Sequence, residues 1–204
     1  TQRIPDTMTG PITFQPDDTS LQAKEVPVEQ FLNKGLSIRD NLRVLEQKIN
    51  GHPNLSASRV LDFQSQLTRV QGTVLTFVGG WTGVDEDGDG ETSADAQQLL
   101  MDLARSADWK ALILTPPPLA DRWHAGIVVY GSGEDAVREP MEEFFRRLII
   151  MRGALLDLVA SIEGCRKFDP DQIDGLTNYI KRCFGSLTTY NLFFSDRGDY
   201  FSSK

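Results

Sequence analysis

The chain has 204 residues, of which 40% are hydrophobic and 25% charged, and its formal net charge is −8. This composition is typical of a globular protein with a buried core. The acidic charge argues against sequence-independent binding of nucleic acid or of an anionic membrane, because both require a basic surface. No apolar run approaches the roughly 20 residues that a membrane-spanning helix needs. We therefore expect a cytoplasmic protein that neither binds nucleic acid nor inserts into a membrane; a signal sequence removed before Thr1 is the alternative.

An internal repeat follows a polar N-terminal arm, residues 1–24. Residues 27–81 align without gaps with residues 140–194, and 11 of the 55 aligned positions are identical. Unrelated segments of ordinary composition would share about three or four. Identities such as Pro27 with Pro140 lie outside the apolar core positions, so helical periodicity alone does not account for them. We therefore interpret the two segments as a duplication.

Each copy of the repeat has the apolar spacing of two amphipathic helices. In the first copy the apolar positions are Val28, Phe31, Ile38, Leu42, Leu45 and Ile49, followed by Val60, Phe63, Leu67, Val70, Val74 and Phe77. Gly51 and Gly164, each expected in the left-handed conformation, end the first helix of each copy. The short turns that follow predict antiparallel helical hairpins at residues 25–81 and 140–194.

Two such hairpins bury each other's apolar faces when they pack together. The sequence thus predicts a mainly α fold, a pseudo-twofold four-helix bundle built from two duplicated hairpins. Residues 82–139 would form a small α/β insertion between the hairpins, and residues 195–204 a C-terminal tail. The alternative is two separate hairpins that each dock on something else.

The insertion begins with an acidic loop, whose carboxylates are Asp85, Asp87, Asp89, Glu91 and Asp95. Aspartates at loop positions 1, 3 and 5 with glycine at position 6 match the first half of an EF-hand calcium loop. The second half differs, because Ala96 stands where a bidentate glutamate is required. The sequence favours a solvated acidic turn over a calcium site, and we expect no other cofactor.

The rest of the insertion has the pattern of one helix and two strands. The helix is predicted from Ser93 to about residue 107, and the strands at residues 110–115 and 126–130. Trp109, Trp123 and His124 lie near these elements in the sequence. They predict either a binding surface or the insertion's own small core.

Four arginines occupy matched positions in the two hairpins: Arg39, Arg69, Arg152 and Arg182. Each pair lies at one level across its hairpin, just off the apolar seam. A layer of four guanidiniums would hold an anion or a partner's carboxylate. In an acidic chain we favour the alternative that each arginine forms a salt bridge with local acids such as Asp40.

The third predicted helix is apolar on more than one face. Its additional apolar residues are Ile149, Ile150, Leu156 and Val159. A helix of this kind is covered by more than its own bundle, and we expect either the insertion or another chain to cover it. The aromatic run near the C-terminus, which includes Phe193 and Phe194, is a second candidate interface.

The two cysteines, Cys165 and Cys183, are not expected to form a disulfide. Cys165 lies at the tip of the second hairpin, and Cys183 lies well inside the next helix, about 21 Å away. A disulfide needs Cα atoms within about 7 Å. We expect Cys183 to be a buried apolar side chain, which agrees with a reducing compartment.

Motifs for catalysis or cofactor binding are missing from the sequence: there is no Glu-x-x-His pair, no glycine-rich phosphate loop and no paired-cysteine metal site. We therefore predict a non-enzymatic structural or adaptor protein that acts through protein–protein contacts in a larger assembly, with copies of itself or with another protein. Two alternatives remain open. One is a calcium-responsive binding module that uses residues 85–95. The other is a small-ligand-binding helical bundle with a pocket between bundle and insertion.

Overall fold

The computed structural model describes residues 10–79, 118–134 and 136–202. In these ranges it contains four long helices and one four-stranded antiparallel sheet. The elements are β1 (Pro11–Gln15), β2 (Lys24–Pro27), α1 (Val28–Asn50), α2 (Ala57–Gly79), β3 (Ile127–Tyr130), β4 (Val137–Pro140), α3 (Met141–Glu163) and α4 (Pro170–Leu187). Short 3₁₀ segments lie at Asp121–Trp123, Thr188–Phe193 and Arg197–Asp199.

Each half of the protein is a ββαα unit. Strand β4 and helices α3 and α4 begin 113 residues after β2, α1 and α2, at residues 137, 141 and 170 against 24, 28 and 57. The mainly helical prediction is confirmed, and so is the strand predicted at residues 126–130. The sequence did not predict the sheet that joins the halves. Strand β1 lies within the segment that we interpreted as an N-terminal arm.

The sheet has the strand order β2-β1-β3-β4, so the first strands of the two halves are the central pair. Ile12 lies opposite Tyr130 and Phe14 lies opposite Val128. The register is symmetric about the pair Thr13–Val129. If the two halves are exchanged, Ile12 takes the position of Val128 and Phe14 takes the position of Tyr130. These four side chains are buried on the face that packs on the helices.

The helices pack across the two halves as well as within them. Helix α1 packs against α2 and α4, and α3 packs against the same two helices. The predicted core positions are all buried: Leu42, Leu45, Ile49, Phe63 and Leu67 in the first half, and Leu155, Leu158, Ile162, Leu176 and Ile180 in the second. Each half thus supplies apolar surface that the other half buries.

The glycines at the ends of α1 and α3 correct one prediction. Gly51 has a φ of −86° and Gly164 a φ of −76°, so neither adopts the left-handed conformation. The Gly164 N–H still donates to the Ala160 carbonyl at 2.9 Å, as in the helix. A Cβ at Gly164 would lie only 3.1 Å from that oxygen. Glycine therefore suits this position because it allows a close approach to the Ala160 carbonyl, and not because it allows a positive φ.

Both cysteines are free and buried, as predicted for Cys183. The Cys183 thiol faces the Ile38 carbonyl at 3.8 Å, so it lies between α4 and α1. Burial raises its pKa to about 12. Among the described helices, none is long and apolar enough to cross a lipid bilayer.

Candidate functional site

Two cations at equivalent positions of the halves have different surroundings. Lys34 on α1 and Arg147 on α3 are 113 residues apart, which is the spacing of the repeat. Both lie in the second turn of the helix that follows a strand pair. Their different surroundings show which groups each half provides for its cation.

Arg147 has an internal carboxylate partner. Its guanidinium donates two hydrogen bonds to Glu139, at 2.9 and 2.5 Å, and the Tyr130 hydroxyl donates to the same carboxylate. Burial alone would lower the pKa of Arg147, but the hydrogen bond and charge of Glu139 outweigh it and raise that pKa. Burial, followed by the charge of Glu139, also raises the pKa of Tyr130 well above its usual value. This ion pair is complete within the chain.

Lys34 has no equivalent carboxylate. The residues that correspond to Glu139 and Tyr130 are Val26 and Phe14, which are buried and apolar. The Lys34 ammonium instead donates to the Thr189 hydroxyl at 2.6 Å and to the Ser186 carbonyl at 3.2 Å. Both acceptors are uncharged, and burial lowers the pKa of Lys34 from its usual value.

These contacts also have a structural role. Ser186 lies in the last turn of α4, and its backbone carbonyl accepts a hydrogen bond from the Lys34 ammonium. A cation at this end of a helix is favourable because of the helix dipole. Lys34 therefore helps to join α1 of the first half to the end of α4 in the second.

Lys34 lines an open groove of about 530 Å³ between α1 and α4. The other lining residues are Pro27, Glu29, Gln30, Asn33, Ser37 and Ser186. The Ser186 hydroxyl donates to the Ser37 hydroxyl at 3.3 Å, across the two helices. Lys34 is the only cation and Glu29 the only anion of this lining, and amides and hydroxyls make up most of the rest. Such a surface can bind a polar group that accepts hydrogen bonds and carries one negative charge.

The four predicted arginines each have a local partner. Arg39 pairs with Asp40 at 3.3 Å, and Arg69 pairs with Asp157 of the other half at 3.7 Å. Arg152 pairs with Asp199 of the C-terminal tail at 3.7 Å, and the Arg182 guanidinium lies 5.4 Å from the centre of the Tyr179 ring. These contacts favour the salt-bridge interpretation for Arg39, Arg69 and Arg152.

The predicted interface residues differ in exposure. Phe193 and Phe194 are buried inside the protein, because the chain turns back along α3 after α4. The Phe193 ring packs against Phe14 of the sheet, and the Phe194 ring packs against Phe145 of α3. These two residues therefore do not form the exposed aromatic surface that we expected.

Of the four additional apolar residues on α3, only Leu156 is exposed, at 41%. Ile150 is buried, while Ile149 and Val159 are partly buried and pack on the core. We expected the insertion or another chain to cover this helix. The C-terminal tail also contacts this helix, through the pair of Arg152 with Asp199.

The predicted calcium ligands, Asp85, Asp87, Asp89, Glu91 and Asp95, lie outside the described residues, as do the predicted helix at 93–107, the strand at 110–115 and Trp109. In the described part of the chain, no three His, Cys, Asp or Glu side chains come together in a way that could hold a metal ion. Trp123 is buried and donates from its indole nitrogen to the Leu192 carbonyl at 3.2 Å. His124 is exposed and lies 3.3 Å from Glu142.

Sequence reasoning missed Lys34, Glu139 and Arg147. A signal was present, since Lys34 and Arg147 are aligned basic residues between apolar positions of the repeat. A search of the alignment for positions that are basic in both copies but differ in residue type would have found this pair.

Residues 4–79 and 114–200 match a family described as a domain of unknown function (DUF8685). These two segments make up well over half of the chain. The chain belongs to this family. The match includes the four strands and four helices described above, and with them Lys34, Glu139 and Arg147. It leaves out residues 80–113, which contain the acidic loop. Neither the curated proteins nor the solved structures gave a match to the chain.

Proposed function

We propose that this protein is a duplicated, pseudo-twofold helical bundle that acts as a non-enzymatic adaptor, and that a partner protein binds the outer surface of α1 beside the Lys34 groove. The observation that carries this proposal is an exposed apolar pair on α1. Leu36 is 42% exposed and Val44 38% exposed. They are eight residues apart, so they lie on one side of the helix.

The equivalent positions on α3 are different. Ile149, equivalent to Leu36, is partly buried and packs on the core, and Asp157, equivalent to Val44, is charged. Core packing is common to the two halves and does not require an exposed leucine and valine on α1. Protein interfaces combine such apolar side chains with a polar rim. The Lys34 groove supplies that rim, because Asn33 and Ser37, which line it, flank Leu36 in the helix.

Site-specific photo-crosslinking in the cells that make this protein tests the proposal. A photoreactive residue replaces Leu36 in one version and Leu61 in the control, since Leu61 is a 64% exposed leucine on α2. We expect one defined protein to be trapped from position 36 and not from position 61. The product should disappear when Val44→Asp is added, because a buried charge weakens an apolar contact. The same products at both positions would contradict the proposal.

Light scattering at several protein concentrations distinguishes two kinds of partner. A mass that rises with concentration identifies a second copy of this chain as the partner. A constant mass together with a crosslink from position 36 identifies a different protein. The calcium-responsive module and the small-ligand carrier stay predictions. The calcium ligands lie outside the described residues, and the contacts of Trp123 and His124 given above do not favour a ligand pocket.

A further inference from the structure

The missing carboxylate beside Lys34 indicates what the partner supplies. In the second half, Glu139 neutralises the equivalent Arg147 with two hydrogen bonds. In the first half, Val26 takes that position and the half-buried ammonium has only uncharged acceptors among the described residues. An anion that reaches this ammonium gains a charge-assisted hydrogen bond, which is stronger than one between neutral groups.

The donors of the groove suit a carboxylate. An ammonium has three N–H donors, and the two contacts to Thr189 and Ser186 use two of them. The side-chain amide of Asn33 and the hydroxyl of Ser37 line the same groove, so a carboxylate on Lys34 has further donors nearby. A carboxylate has two oxygens and can accept from several donors at once.

The charges that line the groove favour a singly charged anion over a doubly charged one. Lys34 is the only cation among the lining residues, and Glu29 is an anion. A phosphate carries a charge of about −1.5 to −2 and is usually held by several cations or by a bidentate arginine. A carboxylate carries one charge, which one lysine balances.

We propose that the groove between α1 and α4 binds a carboxylate of the partner, which contacts Lys34 as Glu139 contacts Arg147. This inference rests on the proposed function, because the carboxylate is the polar anchor of a protein that also covers Leu36 and Val44. The carboxylate belongs to an acidic side chain of the partner, since an acidic side chain, Glu139, neutralises the equivalent cation in the second half.

Nuclear magnetic resonance on the full chain tests this with three short peptides. One carries a glutamate between alanines with both ends blocked, the second has glutamine in its place, and the third is trialanine with a free C-terminal carboxylate. We expect saturable shifts of the Lys34 side-chain signals and of the Asn33 and Ser37 amides with the glutamate peptide. The glutamine peptide should bind at least fivefold more weakly. Stronger binding of trialanine than of the glutamate peptide would contradict an acidic side chain as the source and assign the groove to a chain end.

Three variants make the test specific. Lys34→Met should weaken binding of the glutamate peptide at least fivefold, whereas Lys48→Met, which removes an exposed lysine elsewhere on α1, should not. Glu29→Gln should strengthen binding several-fold, because it removes the like charge at the groove. Lys34→Arg keeps the positive charge and should retain binding, which provides a check if Lys34→Met proves unstable.

Equal shifts with the glutamate and glutamine peptides, or unchanged binding in folded Lys34→Met, would overturn the inference. The two proposals fail separately. A specific crosslink from position 36 without carboxylate binding would support the adaptor function and contradict the carboxylate site. Carboxylate binding without a specific crosslink from position 36 would support the anion site and contradict the adaptor function.

Discussion

At the scale of single residues, equivalent positions of the two halves have different surroundings. Arg147 has an internal carboxylate partner, whereas Lys34 lies in an open groove. The stability that each cation contributes should therefore differ. Removing a cation from a buried pair leaves an uncompensated charge, whereas removing a half-exposed lysine does not.

Replacing the two cations by methionine tests this difference. Arg147→Met should lower the free energy of unfolding by about 3–5 kcal/mol, because it leaves the Glu139 carboxylate without its partner. Lys34→Met should cost about 1–2 kcal/mol, since the ammonium has two hydrogen bonds to neutral oxygens and lies 5.7 Å from the centre of the Tyr190 ring. Urea unfolding followed by circular dichroism measures both values. Equal costs for the two variants would contradict the assignment of Arg147 as the paired and Lys34 as the unpaired cation.

The Cys183 thiol gives a second prediction, which depends on pH. Its pKa is about 12 in the folded protein and close to 8.5 in an unfolded chain. The unfolded state therefore loses this proton first, and the stabilising contribution that is full below pH 8.5 is lost as pH rises towards 12. Between pH 8.5 and 10, the free energy of unfolding should fall more steeply for the natural chain than for Cys183→Ala. The expected difference in slope is about 1.4 kcal/mol per pH unit. Parallel slopes would show that the thiol is not buried as described.

At the scale of elements, the helices were predictable, but of the four strands in the sheet only β3 was predicted. Long apolar periodicity and an alignment without gaps fix the helical pairs, because 3.6-residue spacing over six turns is a strong signal. Strand β1 is only five residues long, although Ile12 and Phe14 alternate with polar residues as in a half-buried strand. The equivalence of β1 and β3 cannot be found in the alignment of the two copies without gaps. Phe14 pairs with Lys24 ten positions later, whereas Tyr130 pairs with Val137 after seven, so the alignment without gaps breaks here.

Two glycines at elements of different kinds make a matched test of local geometry. A Cβ at Gly126, which precedes β3, would lie 2.6 Å from the Gln15 carbonyl, so Gly126→Ala must displace the end of β1. Gly153 lies inside α3 with no atom within 4 Å of such a Cβ. Gly153→Ala should stabilise the protein by about 0.5–1 kcal/mol, because alanine is the better helix former. Gly126→Ala should destabilise it by about 1–3 kcal/mol, as overpacking does. Thermal unfolding measures the change in melting temperature of each variant. Changes of the same sign in both variants would contradict this geometry.

At the scale of the whole molecule, the halves share one sheet and one core. The sequence predicted the core because its apolar positions repeat, and it placed Leu45 and Leu158 correctly. It did not predict the groove, because a groove depends on which side chains from α1 and α4 meet, and no sequence pattern encodes that pairing. The buried position of Phe193 was missed for the same reason, since the path of the chain after α4 decides it.

A shared core predicts that the halves unfold together. Leu45→Ala and Leu158→Ala should each cost about 2–5 kcal/mol, as truncations of fully buried leucines do. Hydrogen exchange should show that either change speeds exchange of the slowest amides in both halves by a similar factor. If Leu45→Ala affected only α1 and α2, the halves would be separate folding units, as in the alternative of two independent hairpins.

The first half has Val26 where the second half has Glu139, and a partner's carboxylate is expected to take the place of Glu139 beside Lys34. The most direct measurement is the affinity of the glutamate peptide for a variant in which Phe14→Tyr and Val26→Glu give the first half the residues of the second. In this variant the new glutamate should pair with Lys34 and raise its pKa, and peptide binding should be lost while the protein remains folded. A folded variant that binds the peptide as tightly as the natural chain would contradict the claim.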